Sequence, residues 1–211
     1  MTYQAVFFDF DGVILESVDA KTRAFAALYQ EHGEAVVAAV IDYHMAHGGL
    51  SRFEKFRHYE EVLLGRPLTP ERSADLGERF TALAFREVVG SAWVEGAEAA
   101  LKALHGRMPL FVASGTPEEE LRQIVTLRGL DHYFDGVYGS PRKKDRIINE
   151  TCSARGIDPR RTVMVGDAMT DYDAAKATGA AFIGRLTPAI PAFPGGIAQL
   201  HDLRGLPALF E

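Results

Sequence analysis

Five short apolar segments, with helix-length runs between the later ones, leave this chain few folds to choose from. Val6-Phe7-Phe8, Pro109-Leu110-Phe111-Val112-Ala113, Gly136-Val137-Tyr138-Gly139, Thr162-Val163-Met164-Val165 and Ala180-Ala181-Phe182-Ile183 are rich in β-branched or aromatic residues. Helical patterns fill 117–128, 144–155 and about 169–177. Strands read as nearly continuous apolar runs when helices cover both faces of their sheet, so the alternation predicts an α/β fold on a parallel sheet. Thr116-Pro117-Glu118-Glu119 predicts a helix start with a capping box on Thr116, and Gly129 closes that helix.

Residues 16–95 read differently. The runs 24–29, 34–46, 53–64 and 71–88 are helical with almost no strand signal, punctuated by Gly48-Gly49 and Arg66-Pro67-Leu68-Thr69-Pro70. The expected organisation is a core domain of 1–15 and 96–211 with a helical module, 16–95, inserted after the first strand. Such a module can close over the carboxyl ends of the strands, where open α/β sheets place their ligands. Past Ile183 the pattern weakens. Pro188, Pro191, Pro194 and Gly195-Gly196 suggest an extended tail, with Leu200 to Phe210 packing on the sheet.

With 211 residues, 47% hydrophobic and 25% charged, the chain can bury one good core. Its net charge of -6 offers no broad basic field for a nucleic acid. Cys152, the single cysteine, cannot form an internal disulfide and reads as a packed thiol. The Met1-Thr2-Tyr3-Gln4 start lacks a basic leader, and no stretch is long enough to span a bilayer, which makes the cytoplasm the expected location. The sequence is compatible with a monomer or a homodimer.

Asp9 and Asp11 follow the first strand one residue apart, so in extended backbone both point the same way. Asp167 ends the Val163-Met164-Val165 strand, and Asp171 lies about one helical turn later. If the two strands are neighbours, four carboxylates converge, and such a set reads as a site for a hard cation, magnesium above all. The plain alternative is that all four are turn formers and caps. Asp173 reads as a solvated helix residue or an outer partner.

Phosphoryl transfer also needs a nucleophile, charge neutralisation and a proton donor. Asp9 is the candidate nucleophile and Asp11 the acid/base. Ser114, before Gly115, can hold phosphoryl oxygens or merely cap a turn. Ser140-Pro141-Arg142-Lys143-Lys144 offers two lysines, and spacing alone does not choose which enters the site.

Taken in order, these residues resemble the four signatures of the haloacid dehalogenase-like hydrolase superfamily. Phe8-Asp9-Phe10-Asp11-Gly12-Val13 is similar to its DxD motif, Val112-Ala113-Ser114-Gly115-Thr116 to the second, and Gly166-Asp167-Ala168-Met169-Thr170-Asp171 to the fourth. Lys144 best matches the third-motif lysine, ahead of Lys143. The resemblance, over residues 5 to about 184, implies a Rossmann-like core with a helical C1 cap. It implies magnesium on Asp9, the Asp11 backbone carbonyl and Asp167, with Asp171 a further or water-mediated ligand. Gly12, Gly115 and Thr116 fall in the motifs as substrate contacts. Two aspartates in the first motif imply phosphate rather than dehalogenase chemistry, on a small phosphorylated metabolite. A phosphomutase is the runner-up, although such mutases usually carry Glu-Asp where this chain has Gly166-Asp167. A phosphate-ester-binding protein without turnover is the non-enzymatic alternative.

Gly48-Gly49-Leu50-Ser51-Arg52-Phe53-Glu54-Lys55 resembles the cap segment with which relatives address substrate. Arg52, assisted by Lys55, is the candidate for a second anionic group or the phosphate; as helix residues after Ser51 they could equally be exposed. Lys21 stands where many relatives have histidine and can contact phosphate instead. Trp93 reads as a packing anchor. His44, His47, His58 and His105 show no metal spacing, and Phe53, Phe56 and Tyr59 read as an inner cap face.

Overall fold

The computed structural model describes residues 3–188 and 192–211, so the Met1-Thr2 start and Pro191 lie outside the described residues. All four side chains of β1 (Ala5–Phe8) are buried, which places that strand at the centre of the sheet. Val6 and Phe8 pack into one hydrophobic cluster, Ala5 and Phe7 into another on the opposite face. After β1 come four helices: α1 (Val18–Leu28), α2 (Glu34–Ala46), α3 (Arg52–Arg57) and α4 (Pro70–Gly90). The chain then runs α5 (Ala97–Leu104), β2 (Leu110–Pro117), α6 (Glu118–Leu127), β3 (Gly136–Ser140), α7 (Lys144–Arg155), β4 (Thr162–Gly166), α8 (Met169–Thr178), β5 (Ala181–Arg185) and β6 (Ala198–Leu200).

The sheet order is β3-β2-β1-β4-β5-β6, and every pairing is parallel. The chain moves outward from β1 to β3 and then returns to the other side of β1 as β4. Strand order therefore reverses between β1 and β4, and a crevice opens at their carboxyl ends. The expected α/β architecture with a helical cap region is what forms.

The cap region has its own centre, where the Phe25 ring packs on Phe80 at 4.4 Å and on Tyr59 at 5.7 Å between centroids. The two chain crossings into it are tied together. Glu16 donates its amide to Ala92 O at 2.9 Å, and Val94 to Ile14 O at 3.0 Å. Trp93 packs against the core beside this crossing. Among the described residues no helix is long and apolar enough to cross a membrane.

Three expectations need correction. Thr116 caps nothing: β2 runs on through Pro117, α6 starts at Glu118 without a side-chain cap, and the Thr116 hydroxyl bonds to Asp11 instead. Phe53, placed on the inner cap face, is 39% exposed, whereas Phe56 and Tyr59 are buried. Phe53 and Phe56 both lie in α3, ahead of a π-helical stretch over 58–63, and Phe53 sits at the margin of the apolar stripe with its ring edge-on to Phe56 at 5.9 Å. The tail is not merely extended, because β6 adds a sixth strand beside β5. Three residues are too few for periodicity to reveal such a strand. Leu203 and Leu206 are then fully buried, and Leu203 donates its amide to Glu95 O at 2.8 Å.

Candidate active site

Asp9 is the first residue past β1, and its amide donates to Val165 O of β4 at 2.9 Å. Its Oδ1 accepts the Phe10 amide at 2.7 Å, and its Oδ2 lies 2.8 Å from Lys144 Nζ. The strand has ended by Phe8, so the alternation expected to aim Asp11 alongside Asp9 no longer governs. Asp11 turns instead to an ion pair with Lys21, to the Thr116 hydroxyl at 2.9 Å and to the Ser17 hydroxyl at 2.6 Å. Three carboxylates converge rather than four: oxygens of Asp9, Asp167 and Asp171 all lie within 4.8 Å of one another. Gly12, at φ +76°, leaves the space this needs, since a Cβ there would stand 2.1 Å from Asp167 Oδ2.

Asp171 sits in the first turn of α8, fully buried, with Oδ1 on Lys144 at 2.5 Å and Oδ2 on the Ala168 amide at 3.0 Å. Lys144 is thus clamped between Asp9 and Asp171, while Lys143, one residue earlier, is exposed. Burial alone would lower the Lys144 ammonium, but Asp171 and then Asp9 outweigh it and hold it charged above its usual range.

Burial pushes the Asp9 carboxyl up to about 7 against the pull of Lys144, and burial followed by the Asp9 charge raises Asp167 as well. Three carboxylates with one ammonium are a cation site in need of positive charge, and all the donors are hard oxygens. The cluster is positioned to chelate a divalent metal. In the metal-free protein the Asp9 carboxyl keeps its proton up to about pH 7, so an entering cation must displace it. Metal affinity will therefore be highest above pH 7 and fall below it, by about tenfold per pH unit for each proton displaced. Calorimetric titration with a divalent cation at pH 8 and pH 6 measures this, and equal affinities would contradict the assignment. Asp11 behaves oppositely. Burial acts to raise it, but Lys21, with hydrogen bonds from Lys21, Ser17 and Thr116, prevails and holds the carboxylate below its usual range.

From β2 come Ser114, whose Oγ accepts the Thr116 amide at 3.1 Å, and Gly115. Lys21 Nζ also donates to Thr116 Oγ1 at 2.7 Å. The cap loop presses on this edge: Gly48 O accepts from Thr170 Oγ1 at 3.0 Å, and a Cβ on Gly115 would lie 2.3 Å from Gly49 O. Gly115→Ala will therefore prop the cap open by a backbone clash that no rotamer relieves. We expect a kcat/KM loss of at least about tenfold, with faster proteolysis of the cap crossings; wild-type values for both would refute the contact.

Arg52 and Lys55 are not exposed. Arg52 is 5% accessible, paired with Glu120 of α6 (2.9 Å from Nη1 to Oε2, with a second contact from Nη2) and with Thr81 Oγ1 at 2.8 Å. It ties cap to core. Lys55 is 2% accessible and meets His44 Nδ1 at 2.7 Å. Asp9, Asp11, Gly12, Lys21, Arg52, Lys55, Ser114, Gly115, Thr116 and Asp167 all line a crevice of about 540 Å³ between cap and core.

Over residues 3–179 the chain matches the model of a family described as haloacid dehalogenase-like hydrolase. The chain belongs to that family. Among curated relatives, it is 27% identical to a phosphoglycolate phosphatase of Chromobacterium violaceum, over 95% of this chain and 96% of the relative. It is 26% identical to the fructose-1-phosphate phosphatase YqaB of Escherichia coli, over 84% and 93%. Its fold superposes with a TM-score of 0.78 on the crystal structure of a predicted phosphoglycolate phosphatase from Haemophilus somnus, at 17% identity over 100% and 99% of the chains. With its aspartate cluster assembled, the chain is a haloacid dehalogenase-like hydrolase carrying the cluster typical of phosphoric monoester hydrolases of that type, and it resembles the capped, phosphoglycolate-phosphatase-like branch.

Several residues of this haloacid dehalogenase-like site gave no usable signal in sequence. Ser17, His44 and Glu120 are reached only through packing between elements. Arg185 donates to Gly12 O at 2.6 Å across the sheet from β5. Nothing in local spacing could have paired positions 12 and 185.

Proposed function

We propose that this chain is a magnesium-dependent phosphatase that hydrolyses a small phosphomonoester through an aspartyl phosphate on Asp9. The observation that carries the reading is the Asp9 carboxylate at the end of β1, clustered with Asp167 and 2.8 Å from the Lys144 ammonium. Asp9 attacks phosphorus, the ester P–O bond breaks, and the leaving oxygen takes a proton from Asp11. Water then attacks the aspartyl phosphate, yields its proton to Asp11, and the P–O bond to Asp9 breaks to release phosphate.

Held as a carboxylate by Lys21, Ser17 and Thr116, Asp11 suits the second half-reaction as base. An incoming phosphate dianion beside it favours its protonated form and so readies it as acid for the first. Lys144 neutralises the attacking region and holds Asp9 and Asp171 in place, while Ser114 and the amides after it offer donors to phosphoryl oxygens. Asp9 and Asp167 would hold magnesium, together with the Asp11 backbone carbonyl. Asp171, both of whose oxygens are engaged, would act on it through Lys144 or water. Bound there, the ion would supply charge neutralisation on the transferring phosphoryl group.

The core and cap divide, in this reading, at residues 15/16 and 95/96, with the paired crossing at Leu15 and Trp93 as the hinge. A small metabolite fits the volume of the crevice, the phosphoglycolate and fructose-1-phosphate named for the relatives lie in that size range, and the net charge disfavours nucleic acid. The buried thiol of Cys152 accords with a reducing, cytoplasmic setting. The test is a screen of small phosphomonoesters with magnesium and with chelator, scoring inorganic phosphate. Metal-dependent release without phosphoryl transfer to an added sugar phosphate supports a phosphatase. Transfer to the sugar would make it a mutase, and binding without turnover across the panel would leave a phosphate-ester-binding protein.

A further inference from the structure

Three basic side chains with a formal positive charge are buried among the described residues, and two of them have carboxylate partners: Arg52 meets Glu120, and Lys144 meets Asp9 and Asp171. Lys55 has none. Its Nζ contacts His44 Nδ1 at 2.7 Å and His44 O at 3.4 Å, and stands 5.6 Å from the centre of the Phe25 ring. All of these partners are uncharged. An ammonium taken out of water without a counter-charge costs folding free energy, so a wholly structural role would favour an apolar residue of the same length.

The same residue lines the crevice, from the cap side. Two of its three N–H groups have protein acceptors. The facing charges are Lys21 and Lys144, which oppose its protonation, and Asp11 and Asp167, which favour it. Burial and then Lys21 bring the ammonium down to about 7, whereas burial and then Lys55 bring His44 down to about 3 and leave its Nδ1 a neutral acceptor. With Nδ1 accepting, the ring hydrogen is on Nε2. The Val18 backbone lies close enough to the ring to favour its charged form, but among the described residues Nε2 meets no acceptor in full hydrogen-bond geometry. One wall of the crevice therefore offers a buried cation and leaves its histidine partner a buried donor unpaired.

On the core side Lys144, Ser114 and the carboxylate cluster address the phosphoryl group, and Arg52 is committed to Glu120. We propose that Lys55, oriented by His44, is the specificity-determining residue that receives an anionic group on the leaving alcohol. The enzyme would then select phosphomonoesters of anionic alcohols, bearing a carboxylate or a second phosphate, over those of neutral ones. The proposal rests on the phosphatase reading of the site and names the substrate class for it.

Lys55→Met keeps the length of the side chain and removes the charge. The probes are 2-phosphoglycolate for the carboxylate, fructose 1,6-bisphosphate for the second phosphate, and fructose 1-phosphate for a neutral leaving group. The wild type should prefer at least one anionic ester. Lys55→Met should lower kcat/KM for that ester by about 30-fold or more beyond its effect on fructose 1-phosphate. Which anionic ester loses most tells carboxylate from phosphate.

The melting temperature of the ligand-free variant should not fall, because an uncompensated buried charge has been removed. A folded variant with an unchanged ester ratio, or a wild type that prefers the neutral ester, overturns the proposal while leaving the phosphatase intact. Calorimetric titration of the Asp9→Asn protein in magnesium decides it without turnover. There Lys55→Met should weaken the preferred anionic ester about 30-fold or more beyond its effect on inorganic phosphate, and equal weakening would overturn the proposal. Absence of turnover on every ester would instead remove the phosphatase reading, with the titration still reading Lys55.

Discussion

Asp9→Asn lowers kcat by about 10⁴-fold or more and abolishes the labelled phosphoryl adduct in an acid-quenched single turnover. An amide oxygen is a poor nucleophile and leaves no stable ester with phosphorus, so the loss falls on the chemical step. The fold survives the change. Burial raises Asp9 above its ordinary value, so ionising it costs free energy that accumulates from about pH 4 up to its folded value of about 7. Above that range the metal-free variant should melt no lower than the wild type, which separates loss of the nucleophile from loss of structure. An adduct that persists in Asp9→Asn would mean that another group attacks phosphorus.

Lys144→Met acts on stability and turnover together. Its ammonium is the cation buried between Asp9 and Asp171, at 2.8 Å and 2.5 Å. Removing it leaves carboxylates packed together with no counter-charge. The metal-free protein should lose about 3 kcal/mol, or about 6–12 °C in Tm. A divalent cation takes over part of that neutralisation, so magnesium should narrow the deficit, a difference that scanning calorimetry with and without the ion can read. Turnover should fall about 10²–10³-fold, because the charge that steadies the attacking carboxylate has gone. Lys143→Met is the control: that residue is exposed, and substituting it should change neither quantity. A Lys144→Met protein as stable as wild type without metal would refute the clamp.

The core was legible because burial on both faces demands long apolar runs. Val6-Phe7-Phe8 and Val163-Met164-Val165 could be little else, and the strand order of 3-2-1-4-5-6 follows the usual doubly wound pattern. Asp9 and Asp167 were legible for the same reason, since each ends such a strand. The third-motif lysine was not separable by spacing, because Lys143 and Lys144 are adjacent. The first residue of α7 turns inward and the one before it stays outside. Thr116 misled because a good N-cap sequence was overridden by a partner 105 positions away, the Asp11 carboxylate.

The cap was read correctly as helical and incompletely as a site. Arg52 and Lys55 lie three residues apart on one short helix, and their spacing is compatible with a shared target. Packing sends one to Glu120 of the core and the other to His44 of α2. Both partners are remote in sequence, and neither helix periodicity nor charge pattern carries information about a contact between separate elements.

What the amino-acid order alone determined was a parallel sheet with acidic strand ends and a helical insertion, since burial period and chain direction are local properties. The tertiary structure decided which charges neutralise which. Asp11 went to Lys21, Arg52 to Glu120, Lys144 to Asp9 and Asp171, and Lys55 to no carboxylate among the described residues. Electrostatic pairing depends on distances of a few ångströms in a place shielded from water, and only the packing of the cap on the core sets those distances.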